Sequence, residues 1–257
     1  MLRELTKNNW LSLLGIPESR IPRALILRGT RNLKKFYAVY RERFTNVLDV
    51  GTPNGILEDV LIGDLHGVPV AYASVYGAPM ASEVVHLFGV LGTRRVIQTG
   101  CCGGIADGLL AGDLLIATSA YSGEGASQYY KTTGRTTAAT ITFDEAAAGT
   151  EPADVSLHRG TMFTTSALFA EGEADIENWH ARGFAGVDME TSATFAVAEF
   201  FGMDRGAILF VFDNPRRGEH ALLEDEEKDR RRDVGNRRMI DMAVAAATRK
   251  PAPLAGR

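Results

Sequence analysis

The stretch VIQTGCCGGIADG, Val96 to Gly108, decides how the chain is read. Its short apolar opening, Val96–Thr99, predicts a β-strand, and GCCGG then reads as a tight glycine-rich turn at the strand's carboxyl end. Ligands of α/β sheets collect beyond the carboxyl ends of strands, and a turn without bulky side chains lets backbone N–H groups converge on an anion. Glycines at 100, 103 and 104 do not follow the GxGxxG spacing, and no Walker lysine is present, so a dinucleotide fingerprint is excluded. Cys101 and Cys102 are the chain's two cysteines; adjacent residues strain disulfide geometry, and they read as small side chains tolerated in the turn. The five histidines, His66, His86, His158, His180 and His220, show no metal-ligand spacing, so neither a metal nor a cofactor is expected.

Working outward, further strands are predicted at Ala24–Leu27, Val60–Leu65, Val68–Val75, Asp113–Ala117, Gly160–Thr164 and Ala207–Phe212. Helical patterns fall at Ala81–Leu91, Ile176–Arg182 and Thr191–Phe201, with a long C-terminal helix from Leu222 to Lys250. The alternation implies an α/β fold with a central mixed β-sheet flanked by helices. With no linker or repeat, residues 1–250 read as one domain and 251–257 as a frayed tail. A net charge of −4 over 257 residues gives nucleic acid no basic face. No apolar run is long enough to span a bilayer, and the N-terminus lacks a signal-peptide pattern, so the expected location is cytoplasmic. Arg230, Arg231 and Arg232 read as a solvated or subunit-facing surface.

Downstream lie GDLLIATSAYSGEGASQYY, GVDMETSATFAVAEFFG and AILFVFDNP. With YGAPMAS before the glycine stretch and LTKNN near the start, this ordered set resembles the nucleoside phosphorylase and uridine phosphorylase family, which includes nucleosidases. The resemblance runs from about Leu5 to Asp213 and implies cleavage of an N-glycosidic bond in a small-molecule nucleoside. It implies a homodimer or homohexamer, and inorganic phosphate as co-substrate without a cofactor. Such a reaction passes through an oxocarbenium-like ribosyl cation. Glu190 would accept bonds from the ribose hydroxyls and favour the cation, with Met189 as an apolar wall and Asp188 beside it. Asp213, at a strand's carboxyl end, would protonate the departing base. Phe169 matches the aromatic that stacks on the base. Gly100 and Cys101 would line the substrate.

The phosphate ligands depart from the family pattern. Gly29 is retained, but Gln98 stands where an arginine is usual, and Leu33 occupies a second arginine position. Arg31 is the remaining candidate, and Arg41 and Arg43 lie near a third. Missing arginines suit a hydrolase, although the water-activating glutamate of nucleosidases finds no match in ALILRGTRN. A nucleoside-binding protein without catalysis is the other alternative. The short segment between Phe169 and Val187, together with Asp213, tilts the base toward a purine.

Overall fold

The computed structural model describes residues 1–51, 57–147, 154–220, 222 and 225–249. In chain order the elements are α1 Lys7–Leu14, β1 Ala24–Gly29, α2 Leu33–Arg41, β2 Thr45–Val50, β3 Val60–Leu65, β4 Val68–Val75 and α3 Gly77–Leu91. Then follow β5 Arg95–Gly104, β6 Leu114–Ser122, β7 Thr136–Ala138, α4 Asp144–Ala147, β8 Leu157–Thr164, α5 Glu173–Ala181, β9 Phe184–Asp188, α6 Thr191–Phe200, β10 Asp204–Asp213 and α7 Glu226–Thr248. The strands form a mixed sheet in the order β10-β6-β8-β9-β5-β1-β4-β3-β2, with β7 on β6. Because β10 also pairs with β5, the first five of these close into a ring.

Every predicted strand is present, while α1, α2, α4, β2, β7 and β9 were not anticipated. The largest correction concerns the glycine stretch. GCCGG is the second half of β5, paired with β10 on one side and, beyond Thr99 where the β1 pairing ends, with β9 at Gly103 and Gly104 on the other. The turn comes later, around Gly108 with φ +82°. The glycines instead permit close strand packing. A Cβ on Gly100 would lie 3.0 Å from the Gly29 carbonyl oxygen, and one on Gly103 or Gly104 would lie 3.1 Å from Val187 or Val211 respectively. The floor of the cleft is therefore a strand end, and not a loop of free N–H groups.

Apolar layers cover both faces of the open part of the sheet. Leu25, Leu27 and Val96 pack with Val85 and Phe88 of α3 and Val197 of α6. Alternate residues Ile26 and Ile97 pack with Tyr40 of α2 and Met239 and Ala243 of α7, as the two-residue period of a strand requires. The long helix starts at Glu226, four residues after the predicted Leu222, where Asp225 caps it by accepting from the Lys228 N–H. The predicted tail, 251–257, lies outside the described residues.

α7 is anchored by a close backbone approach. A Cβ on Gly235 would sit 2.0 Å from the Gly112 carbonyl oxygen, and one on Gly112, itself at φ +88°, would meet the Arg231 carbonyl at 2.4 Å. Beside this contact, buried Asp113 accepts from the Leu110 and Ser156 N–H groups and from Arg231 at 2.8 Å. Replacing a mid-helix glycine by alanine ordinarily stabilises by about 1 kcal/mol. Here the clash is with backbone that cannot swing aside, and overpacking costs about 1–3 kcal/mol. Gly235→Ala is accordingly expected to lower the urea midpoint, and a raised midpoint would show that α7 is not held this closely.

Candidate functional site

Glu190 stands at the junction of β9 and α6, one residue before the helix begins, and is 5% exposed. Its Oε1 accepts the Gly77 N–H at 2.7 Å. Gly77 is the first residue of α3, whose N-cap residue Tyr76 supplies no side-chain cap, so Glu190 caps that helix from across the sheet. Its other oxygen presses toward β1: a Cβ on Gly29 would come within 2.5 Å of Oε2. Burial raises the Glu190 carboxyl to about 8, with the Asp188 charge adding, while the Gly77 and Met189 N–H groups and the Arg28 charge work against it.

Asp188 and Gln98 had been read as ligand contacts, and the structure corrects both by turning their polar atoms inward. Asp188 accepts from Thr164 Oγ1 at 2.7 Å, from the Thr191 N–H at 2.8 Å, from the Glu190 N–H at 3.3 Å and from the Thr191 hydroxyl. It fixes the first turn of α6. Gln98 has no exposed surface; it accepts from Thr194 Oγ1 and donates to the Thr99 carbonyl, both at 2.9 Å. Thr194 holds its amide under Gly29. Met189 lies half-buried between the two acids. Glu124 of the GEGAS segment accepts from Ser192 on α6 at 2.8 Å and from Ser122 at 2.9 Å, tying its loop to the same helix.

Asp213 ends β10, and Gly103 leaves room for it: an added Cβ there would be 3.5 Å from Asp213 Oδ1. Burial raises the Asp213 carboxyl to about 6, opposed by the Arg232 charge. The surface expectation for the arginine run holds only for Arg230, which is exposed. Arg231 reaches in to Asp113, and Arg232 is buried, donating to the Phe212 carbonyl at 2.7 Å with its guanidinium 4.1 Å from the Phe212 ring centre. Half-buried Glu171, which the sequence reading passed over, adds a second acid here. Its Oε1 is buried without a partner, and burial together with the Asp213 and Asp175 charges raises the carboxyl to about 7.

Phe169 is 85% exposed on a short 3-10 turn. The Arg31 guanidinium lies 4.9 Å from the Tyr76 ring centre and 5.3 Å from that of Phe169, forming an aromatic rim with them. Cys101 is exposed, yet the surrounding protein raises its thiol to about 11, so it is a neutral polar contact and not a nucleophile. Arg41 and Arg43 are engaged elsewhere, with Asp49 at 3.0 Å and Asp241 at 2.8 Å. Buried Arg28 was also missed; its signal was a cation inside the otherwise apolar run ALILRG. The geometry thus gathers Glu190, Met189, Gly29, Cys101 and Asp213 around the carboxyl ends of β1, β5, β9 and β10.

Comparison with known proteins places the chain in a family. A DeoD-type purine nucleoside phosphorylase of Clostridium beijerinckii is 27% identical over 237 residues, covering 83% of this chain and 90% of its own length. A guanosine phosphorylase of Halorubrum lacusprofundi is 27% identical over 141 residues, covering 54% of this chain and 58% of its own. The crystal structure of uridine phosphorylase from Vibrio fischeri shares the fold with a TM-score of 0.74 at 20% identity, over 91% of this chain and 95% of that one. The phosphorylase superfamily model matches residues 40–247, and the chain belongs to that superfamily.

Proposed function

We propose that this protein cleaves the N-glycosidic bond of a purine-type nucleoside, with inorganic phosphate as the acceptor. The observation that carries the reading is the placement of two raised carboxyls, buried Glu190 against Gly29 and half-buried Asp213 against Gly103, at neighbouring strand ends. Glu190 Oε2 faces the cleft side of Gly29, where it can accept a ribose hydroxyl. As positive charge develops on the ribosyl ring, the buried carboxylate becomes the favoured form and stabilises that charge. Met189 gives the sugar an apolar wall, and Phe169 the base a stacking face. Asp213, protonated below about 6, delivers its proton to the departing base and so makes it a better leaving group. The names of the Clostridium and Halorubrum relatives support a purine, and the Vibrio structure supports the fold alone. We place the protein in a homo-oligomer, whose neighbouring copy would close the exposed rim at Phe169.

The neutral, inward-turned Gln98 favours one second reading, hydrolysis with water as acceptor. Inosine, guanosine, adenosine and uridine, each assayed with and without phosphate, separate the two. Phosphorolysis gives free base and ribose 1-phosphate only when phosphate is present; release of free ribose at the same rate without phosphate would establish hydrolysis.

Glu190→Ala is expected to lower kcat/KM by about 100-fold or more, and Asp213→Asn by about 100- to 10,000-fold on a purine nucleoside. Rates in both variants close to wild type would overturn the assignment. The pH profile supplies an independent check. Since the acid must carry its proton, kcat/KM should fall as pH rises above about 6, where Asp213 ionises. Asp213→Asn should flatten that limb; an unchanged limb would assign it to another group.

A further inference from the structure

Arg28 is 2% exposed, and among the described residues it has no ion-pair partner. Its Nε is buried without an acceptor, and Nη1 donates weakly to Met239 Sδ at 3.6 Å. Neutral groups surround the guanidinium: the Phe36 ring centre at 4.3 Å and that of Phe210 at 5.6 Å. Below lies Tyr40, whose hydroxyl is also buried without a partner, stacked on Tyr72 at 4.1 Å. Cation–π contacts are small against the desolvation of a full charge. A buried arginine in such company needs an anion, and the described residues supply none.

The surroundings indicate where that anion enters. Arg28 directly precedes Gly29, the residue in contact with Glu190, and is the register partner of Thr99, next to Gly100. Phe210, which flanks the guanidinium, is in register with exposed Cys101. Cys101, two residues beyond Thr99, therefore shares a face of the sheet with Arg28, whose charge acts on its thiol, while Gly29 and Glu190 meet on the opposite face at the same strand end. Among the described residues no ion pair joins Arg28 to Glu190, whose Oε1 accepts the Gly77 N–H instead.

We propose that Arg28 is the cation that binds the phosphate co-substrate, entering over Cys101 and Gly29 and supplying the charge that Gln98 does not. Its planar fork suits phosphate oxygens, and the anion completes a site whose Nε is otherwise orphaned. This assignment rests on the phosphorolytic reading above, but its test does not require turnover.

Thermal unfolding of the intact protein is measured in potassium phosphate and in potassium chloride of equal ionic strength. Phosphate should raise the wild-type Tm in a concentration-dependent way. In Arg28→Met that rise should disappear, with phosphate affinity at least tenfold weaker, while the Tm in chloride is no lower than wild type, because an unpaired buried charge has been removed. Arg28→Lys, which keeps the charge without the fork, should retain part of the rise. A full phosphate response in Arg28→Met, no response in the wild type, or an Arg28→Met protein that unfolds in chloride would each overturn the proposal. Loss of the response in Arg28→Met supports it whether or not any nucleoside is cleaved; absence of base release from every nucleoside would then count against the nucleoside reading alone.

Discussion

The hydrogen bond from the Gly77 N–H to the Glu190 carboxylate is the constraint on which the cleft depends. It closes the start of α3 with an acid carried by the β9–α6 junction, and it does so across the end of β1. Three elements distant in sequence are thereby fixed at one point. The approach exists only because residue 29 lacks a Cβ, which would come within 2.5 Å of the carboxylate. Holding an acid this deep is costly in itself, and the raised ionisation of Glu190 is the mark of that cost. The buried acid is stable in this place because a helix N-terminus and a backbone N–H meet it.

Hydrogen-bond satisfaction divides the acids of this protein into two kinds. Asp113 and Asp188 are almost fully buried and accept several donors each, so their lone pairs are filled by the fold. Asp113 ties α7 to the start of β6, and Asp188 builds the first turn of α6. Glu190 is buried and Glu171 and Asp213 half-buried, each with capacity left over, and burial heads the causes that raise all three. Unfilled acceptors at strand ends are available to a ligand, whereas filled ones are architecture. Arg28 is the cationic counterpart of the second kind, a buried side chain whose Nε finds no acceptor among the described residues.

Local sequence carried the strand positions well. Apolar runs such as VPVAYASV and AILFVF specify covered strands by composition alone, and β4 and β10 lie where those runs are. The short strand β9 was not legible, because FAGVD has too few residues to show a period and contains a glycine. α2, with LKKFYAVYR, was overlooked although its amphipathic pattern was available. The glycines of GCCGG were misread as a turn for a definite reason: a glycine chosen for φ and one chosen for the absence of a Cβ look identical in sequence.

Residue type and order determined the superfamily, the candidate acids Glu190 and Asp213, and the departure at Gln98. Which polar atoms remain free was decided only by the tertiary structure. Whether Asp188 or Gln98 meets a ligand depends on Thr164 at the end of β8 and on Thr191 and Thr194 of α6. Whether Arg28 has a counter-ion depends on what β5, β10, α2 and α7 place around it. Chemistry resides in the side chain, but its availability is set by neighbours that sequence spacing does not reveal.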